Sequence, residues 1–301
     1  MMEQMRCRLP GGYVDRGGTL HRDVEITPLC GRDEELLAGA RKQASAPLVT
    51  EILSRCVRRI GSIAPVPPEV ARALLVADRQ YLLLKLREAT FGPRVLATIA
   101  CPWPDCGKSV DIDFRTGDIP VREAEAREML HTIGLSAGSI YAGVDGLPRR
   151  EISFRLPNGD DQEALSPALL ENEAEALAML LGRCIEPDAD GRSGREIAAA
   201  LSPAARLEIE LAMRRLAPAV ELTMETDCPE CRREFTVPFD LQDFFFGELR
   251  ISRDLLYREV HYLAYHYHWS EREIMELPRG KRRSYIEILA DEIEKYNDAL
   301  Y

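Results

Sequence analysis

The chain has 301 residues, 46% of them hydrophobic and 30% charged, and its 50 acidic residues against 39 basic ones give a formal net charge of -11. That apolar content suits one large core or two smaller ones and is too high for a disordered chain, while no uninterrupted apolar run approaches the ~20 residues of a membrane-spanning helix. The acidic balance repels nucleic acid unless a local basic patch offsets it.

The opening residues, MMEQMRCRLPGGYVDRGG, have no apolar core behind a basic end. A secretory signal is therefore not expected, and the cytoplasm or an assembled particle is the expected location. Gly11-Gly12 and Gly17-Gly18 read as turns, and Cys7 and Cys30 as loop residues. Over residues 19–27, Leu20, Arg22, Val24 and Ile26 alternate with His21, Asp23, Glu25 and Thr27, which is a strand pattern. Asp33 then caps a helix carrying Leu36, Leu37 and Ala40, and a second helix is expected over residues 47–60. Cys56 falls on its stripe with Val49, Ile52, Leu53 and Ile60, where a free thiol packs as a small hydrophobe. A proline-marked break, SIAPVPPEV, is followed by two short helices. The second starts at the cap Asp78, carries Tyr81, Leu82, Leu83 and Leu86, and stops at Phe91-Gly92-Pro93.

Two cysteine pairs follow, in matching settings. RVLATIACPWPDCGKSVDIDF (residues 94–114) and ELTMETDCPECRREFTVPFDL (residues 221–241) each place a β-branched or alternating run before Cys-Pro, a turn and a second Cys, then another alternating run. Val110, Ile112 and Phe114 alternate in one, Phe235, Val237 and Phe239 in the other. This is a strand, turn, strand unit with two thiols at its tip. Pro102 and Pro229 fix φ just after the first Cys, so that the following N–H groups point at its sulfur. Gly107 supplies the positive φ expected after the second Cys, where the second unit has Arg232. One hairpin offers two ligands and structural zinc takes four, so Cys101, Cys106, Cys228 and Cys231 are assigned to one zinc, with two unmetallated hairpins as the alternative. Eight cysteines are too few for a disulfide scaffold in a chain of this length. A dithiol redox site at Cys228-Pro229-Glu230-Cys231 needs a helix start at the first Cys, whereas RREFTVPFD alternates like a strand.

Between the pairs, the pattern predicts a helix over residues 122–132, a Gly-rich turn over 143–146, a strand over 151–156 and a turn at Pro157-Asn158-Gly159. Ser166-Pro167 opens a long helix with Leu170, Ala174, Leu177, Leu181 and Cys184 on one face, and Ser202-Pro203 opens another holding Leu207 and Leu211. A strand at 220–224 leads into the second pair. Past residue 251 the pattern is helical: Leu256, Val260, Leu263 and Tyr267 form a stripe, Ser270 with Glu273 is a capping box, and the helix after Pro278 carries Tyr285, Ile288, Leu289, Ile293 and Tyr296. His261, His266 and His268 have no acidic or Cys neighbour at ligand spacing and read as half-buried aromatic packing. Arg279, Lys281, Arg282 and Arg283 form the one basic cluster, cancelled by Glu287, Asp291, Glu292, Glu294 and Asp298, and read as a solvated helix start or partner-docking face.

The expected fold is α+β and helix-rich: two Cys-bearing β-hairpins forming a zinc-ribbon-like unit around a mostly helical insertion, plus C-terminal helices. Residues 1–93 supply a strand and helices packed with the paired hairpins of 94–241 as one body, and residues 242–301 a helical appendage. There is no phosphate loop, GxSxG elbow or HExxH, and no isolated pair of acidic residues in an apolar setting, so no enzyme and no small-molecule substrate are expected.

DRQYLLLKLREATFGPRVLATIACPWPDCGKSVDIDF, residues 78–114, resembles the T-even-type phage baseplate protein family, whose members serve in hub assembly of contractile tails. EITPLCGRDEELL (25–37) looks like the family's strand, Gly and Asp-Glu helix opening, and FRLPNGDDQEAL (154–165) looks like longer members found beside phage-derived contractile injection systems. YLAYHYHWSEREIMEL (262–277) is similar to a helical motif of small tail-assembly proteins. The spacing from Cys101 to Cys106 and the Arg at 232 depart from the pattern. The resemblance implies a non-enzymatic structural or chaperone-like factor whose partners are baseplate or tail proteins, with no membrane insertion. Tyr257, Tyr265, Tyr267 and Trp269 stand as anchors for a partner. The alternatives are a zinc-ribbon nucleic-acid-binding regulator and a CxxC oxidoreductase.

Overall fold

The computed structural model describes residues 4–39, 46–124, 128–143, 145–169, 172–188, 191–238 and 253–298. Strands β1 (Met5–Val14), β2 (Leu20–Ile26) and β3 (Val57–Ile60) form an antiparallel sheet in the order β1-β2-β3. Helices α1 (Gly31–Gly39), α2 (Ala46–Cys56), α3 (Pro68–Ala73) and α4 (Val76–Phe91) accompany it. Leu9, Val24, Ile26, Ile52, Leu53, Ile60, Leu82 and Leu83 are buried in the core between them.

Local pattern misjudged several boundaries in this region. The helix expected over 47–60 ends at Cys56, because Val57 and Ile60 are β-branched and the edge of β2 is open to pair with them. Asp33 is not the cap of α1. It lies inside the first turn and reaches back to the Cys30 N–H at 3.0 Å while accepting from Arg55 Nε at 2.7 Å; Ala40 lies outside the described residues. Gly11-Gly12 is a bulge in β1 rather than a turn, marked by a register shift between Arg8 and Tyr13. A Cβ on Gly11 would stand 2.8 Å from Leu75 and 2.9 Å from Asp78, so only Gly lets the strand come this close to α4. Asp78 is correspondingly not a cap: it is fully buried within α4 and accepts the Gly11 N–H at 2.7 Å. Cys7 sits in β1, not in a loop, and burial pushes its thiol up to about 12. The stop at Gly92 is as expected, with φ of 89°.

The chain then forms the hairpin of β4 (Arg94–Ala100) and β5 (Ser109–Arg115), a 3-10 turn at Thr116–Asp118, and an insertion with its own core. Its strands are β6 (Val121–Arg122), β7 (His131–Gly134), β8 (Tyr141–Ala142), β9 (Pro148–Arg149) and β10 (Glu151–Phe154). Helices α5 (Gly159–Leu169), α6 (Glu173–Cys184), α7 (Gly194–Ala200) and α8 (Pro203–Leu216) follow, and β11 (Ala219–Val220) closes the insertion. The helix expected over 122–132 is absent among the described residues. β6 pairs with β11 and β7 with β10, since Thr132 and Ile133 meet the partner strand that the chain brings back; residues 125–127 are not described. Ser166 does not open a helix. It lies inside α5, its hydroxyl donating to the Gln162 carbonyl at 2.7 Å, and Asn172 caps α6 instead. Leu170 lies outside the described residues. Leu181 and Cys184 are buried as expected, around Phe154, Ile197 and Ile209. Ser202 caps α8 as expected, but the buried face is Ala205, Ile209, Ala212 and Met213, and Leu207 and Leu211 are 54% and 55% exposed.

Beyond β12 (Thr223–Asp227) and β13 (Glu234–Pro238) come α9 (Arg253–Tyr267), α10 (Glu271–Met275) and α11 (Arg279–Asp298). The Ser270–Glu273 capping box forms. The basic cluster is not wholly solvated: Arg282 is 1% exposed and paired with Glu34 and Glu259. The three histidines of this region are exposed rather than half-buried, with His266 edge-on to Tyr262. The molecule is α+β and helix-rich, with small sheets. No helix among the described residues is long and apolar enough to cross a membrane.

Candidate metal centre

Both cysteine hairpins grow from the first core. Phe114 at the foot of β5 and Leu222 just before β12 pack against it, and the β6–β11 pairing joins the chain leaving the first hairpin to the chain entering the second. Thr116 further ties the first foot to α4, its N–H bonding the Pro93 carbonyl at 2.8 Å and its hydroxyl the Glu88 carboxylate at 3.0 Å. The insertion therefore begins and ends at one place, and the two stalks rise side by side.

β4 and β5 pair in continuous register from Arg94 with Arg115 to Ala100 with Ser109, and β12 with β13 from Thr223 with Pro238 to Asp227 with Glu234. The ladders continue into the knuckles: the Cys101 N–H bonds the Lys108 carbonyl at 2.8 Å, and the Cys228 N–H the Arg233 carbonyl at 3.1 Å. The residue after the second Cys turns left-handed in both, Gly107 at φ 59° and Arg232 at φ 56°. Arg232 thus fills the conformation expected of Gly, and the two additional residues of the first knuckle are absorbed before that shared turn.

The four sulfurs converge. Cys101 Sγ lies 3.9 Å from Cys231 Sγ, Cys106 Sγ lies 3.8 Å from Cys228 Sγ, and all four are within 4.8 Å of one another. A tetrahedron of thiolates with ~2.3 Å metal–sulfur bonds has sulfurs about 3.8 Å apart, whereas a disulfide would bring two of them to ~2.0 Å. The set can hold a metal ion. Cys101 and Cys228 are buried, with Val110, Ile99 and Phe235 packed around the sulfurs. Backbone N–H groups of Cys231 and Glu230, aimed at the Cys228 sulfur, hold its thiol down at about 7, as expected from the turn after Pro229. Burial, reinforced by the neighbouring thiols, pushes Cys101 up to about 12. A divalent cation at the centre removes that conflict by favouring the thiolate at every position. Sequence reasoning missed the brace beside the sulfurs: Arg233 pairs with Asp105 of the opposite knuckle and lies 5.1 Å over the Trp103 ring. The Trp and Arg at the knuckles were its only signal.

One family model, described as T4 bacteriophage base plate protein, matches residues 1–246. The chain belongs to this family. A second model, described as a family of unknown function (DUF6760), matches residues 249–300 of the base plate chain. No curated protein and no solved structure matches it. Membership supports a structural role at the phage base plate, with tail or base plate proteins as partners.

Of the four aromatic residues singled out in the sequence, Tyr257, Tyr265 and Tyr267 lie on α9 and Trp269 just beyond its end. The Tyr257 hydroxyl donates to the Glu35 carboxylate of α1, Tyr267 stacks on Trp269 at 4.8 Å, Trp269 meets Tyr285 edge-on at 4.9 Å, and Tyr265 is 69% exposed.

Proposed function

We propose that the protein is a non-enzymatic structural or assembly-chaperone component of the baseplate hub, in a phage tail or a related contractile injection particle, whose fold is clamped by one structural zinc. The family match over residues 1–246 supports the setting, and the convergence of two cysteine pairs, with 130 positions between Cys101 and Cys231 and 122 between Cys106 and Cys228, supports the clamp. Cys101, Cys106, Cys228 and Cys231 are the ligands. The ion's work is mechanical: it fixes both hairpin tips and so the surface they present. Purified from metal-replete, reducing medium, the protein is expected to hold about one zinc per chain, and Cys101→Ser or Cys228→Ser to lose it; less than about half an ion per chain would sink the clamp.

The exposed Tyr265, with Tyr257, Tyr267 and Trp269 near it in the sequence, is the proposed partner contact, and tail or baseplate proteins are the proposed partners. Tyr265→Ala is expected to weaken co-purification with tail components without shifting the melting temperature. The regulator reading lacks a basic face: around the knuckles Arg233 is already paired with Asp105. The oxidoreductase reading lacks a helix at Cys228, which lies between two strands.

A further inference from the structure

The two family models part between residues 246 and 249, and the second covers the helices α9, α10 and α11. Helices α9, α10 and α11 bury Leu256, Leu263, Ile274, Met275 and Leu289, and they meet the rest of the chain chiefly at α1 and α4. We infer that residues 253–298 are a separable docking module, and that the surface around Glu34 is a recognition site for such a helical segment, filled here in cis and able to take the same segment in trans.

The site has the chemistry of a receptor. Glu34 is 1% exposed, and both its charged partners come from across the seam: Arg282 Nη2 reaches its two carboxylate oxygens at 2.8 and 2.9 Å, and Arg279 Nη1 reaches one at 3.2 Å. Arg282 is 1% exposed and is held on its other side by Glu259 of the module at 2.7 Å. Burial works against the Arg282 guanidinium, but Glu34 and Glu259 together keep its pKa above the ordinary value. A buried carboxylate whose cations both come from the arriving segment makes an exacting test for it, since a segment without that Arg leaves an unpaired charge.

Shape adds a second test. Gly31 opens α1, and a Cβ there would stand 2.9 Å from Met275 Sδ and 3.0 Å from Met275 Cα, so the missing side chain is the space that Met275 occupies. Arg279 lies 5.3 Å over the Phe91 ring at the end of α4, and its N–H bonds the Leu29 carbonyl at 3.1 Å beside a backbone bridge between Cys30 and Pro278. Around this buried centre lie solvent-facing contacts, Tyr257 with Glu35 and Arg32 with Glu276. A desolvated Arg ringed by weaker polar contacts is the usual anatomy of a protein–protein hot spot. The occupant that fits is a helical pair carrying Met275, Arg279 and Arg282 at these spacings.

The inference uses the base plate assignment only to name the body, and its test uses the purified chain alone, so its failure leaves that assignment standing. A protease site is placed between residues 246 and 252 of the full chain, and the protein is cut. The halves are expected to co-elute at about micromolar concentration, and two cut preparations, one isotope-labelled, are expected to exchange halves in native mass spectrometry. Arg282→Met should weaken retention about 30-fold or more, the loss typical when one partner of a buried charge pair is truncated. Gly31→Leu should also weaken it, by obstructing Met275 with every charge in place. Ile288→Ala, on the 52%-exposed face of the same helix, should change nothing. Separation of the parent halves on cutting, retention of the Arg282→Met and Gly31→Leu halves as tightly as the parent, or no exchange of halves between the two cut preparations would each overturn it.

Discussion

Asp161 shows how much one buried residue carries. Its carboxylate is fully buried and accepts from Arg155 Nη1 at 2.6 Å, Arg155 Nη2 at 2.9 Å, Arg183 Nε at 2.8 Å and the Asn158 N–H at 3.0 Å. Burial alone would raise its pKa, but these donors hold it below the ordinary 3.8. A carboxyl depressed in the folded state contributes stability that is complete above its unfolded pKa and is lost as pH falls through the folded one. Asp161→Asn should therefore cost about 3–5 kcal/mol in urea unfolding at pH 7, with the gap to the parent narrowing below about pH 4. Arg79 is the cationic counterpart. It is 1% exposed and donates to Ala71 O at 2.8 Å, Ala46 O at 2.9 Å and Thr50 Oγ1 at 3.0 Å. Arg79→Met keeps the stem but removes three buried hydrogen bonds, and a loss of about 3 kcal/mol is expected by calorimetry. Neither role was legible in the sequence, where both residues sit among many others of like charge and their partners lie up to 33 positions away.

At the scale of elements, the hairpins were legible, and the insertion only in part: its strand from Glu151 and its cap at Ser202 showed, and its short early strands did not. Alternation and Cys-Pro turns are local, so they report the same structure wherever the chain runs. The short strands β6 and β7 depend on β11 and β10 to complete their hydrogen bonds, and a single-strand window over residues 122–132 contains no sign of those partners. α8 carries the complementary lesson: Leu207 and Leu211 face solvent while Ala205, Ile209, Ala212 and Met213 face the core, so the buried stripe is not the one its Leu residues mark. Leu207→Gln with Leu211→Gln should leave thermal stability within about 0.5 kcal/mol of the parent. The hairpin tips form a small cluster of their own, apart from both large cores. Chelation should accordingly speed amide exchange in β4, β5, β12 and β13 well before it does so in α4 or α6; uniform exchange across the chain would show that the clamp supports the whole fold.

For the molecule as a whole, long-range pairs join the parts. Thr50 and Arg72 both meet Glu163, linking α2 and α3 to the insertion, and Glu34 links α1 to α11 across 248 positions. The family match explains why a sequence resemblance reached the base plate from the Leu-rich α4 and the first knuckle, which lie together within residues 1–246. It leaves the C-terminal helices to a second family, and what joins them to the body is a buried ion pair that no periodicity reveals.

By itself the sequence determined the α+β class, both cysteine hairpins, the cap at Ser202, the capping box at Ser270 and the base plate resemblance. All of these rest on residues within one turn, one strand pair or one uninterrupted stretch. Only the tertiary structure decided that the four sulfurs share one sphere, that Arg232 takes the turn expected of Gly, that β6 and β7 are strands, and that Arg282 is buried against Glu34. Each of these is a meeting of residues distant in the chain or a backbone angle imposed by such a meeting, and local propensity is too weak to specify either.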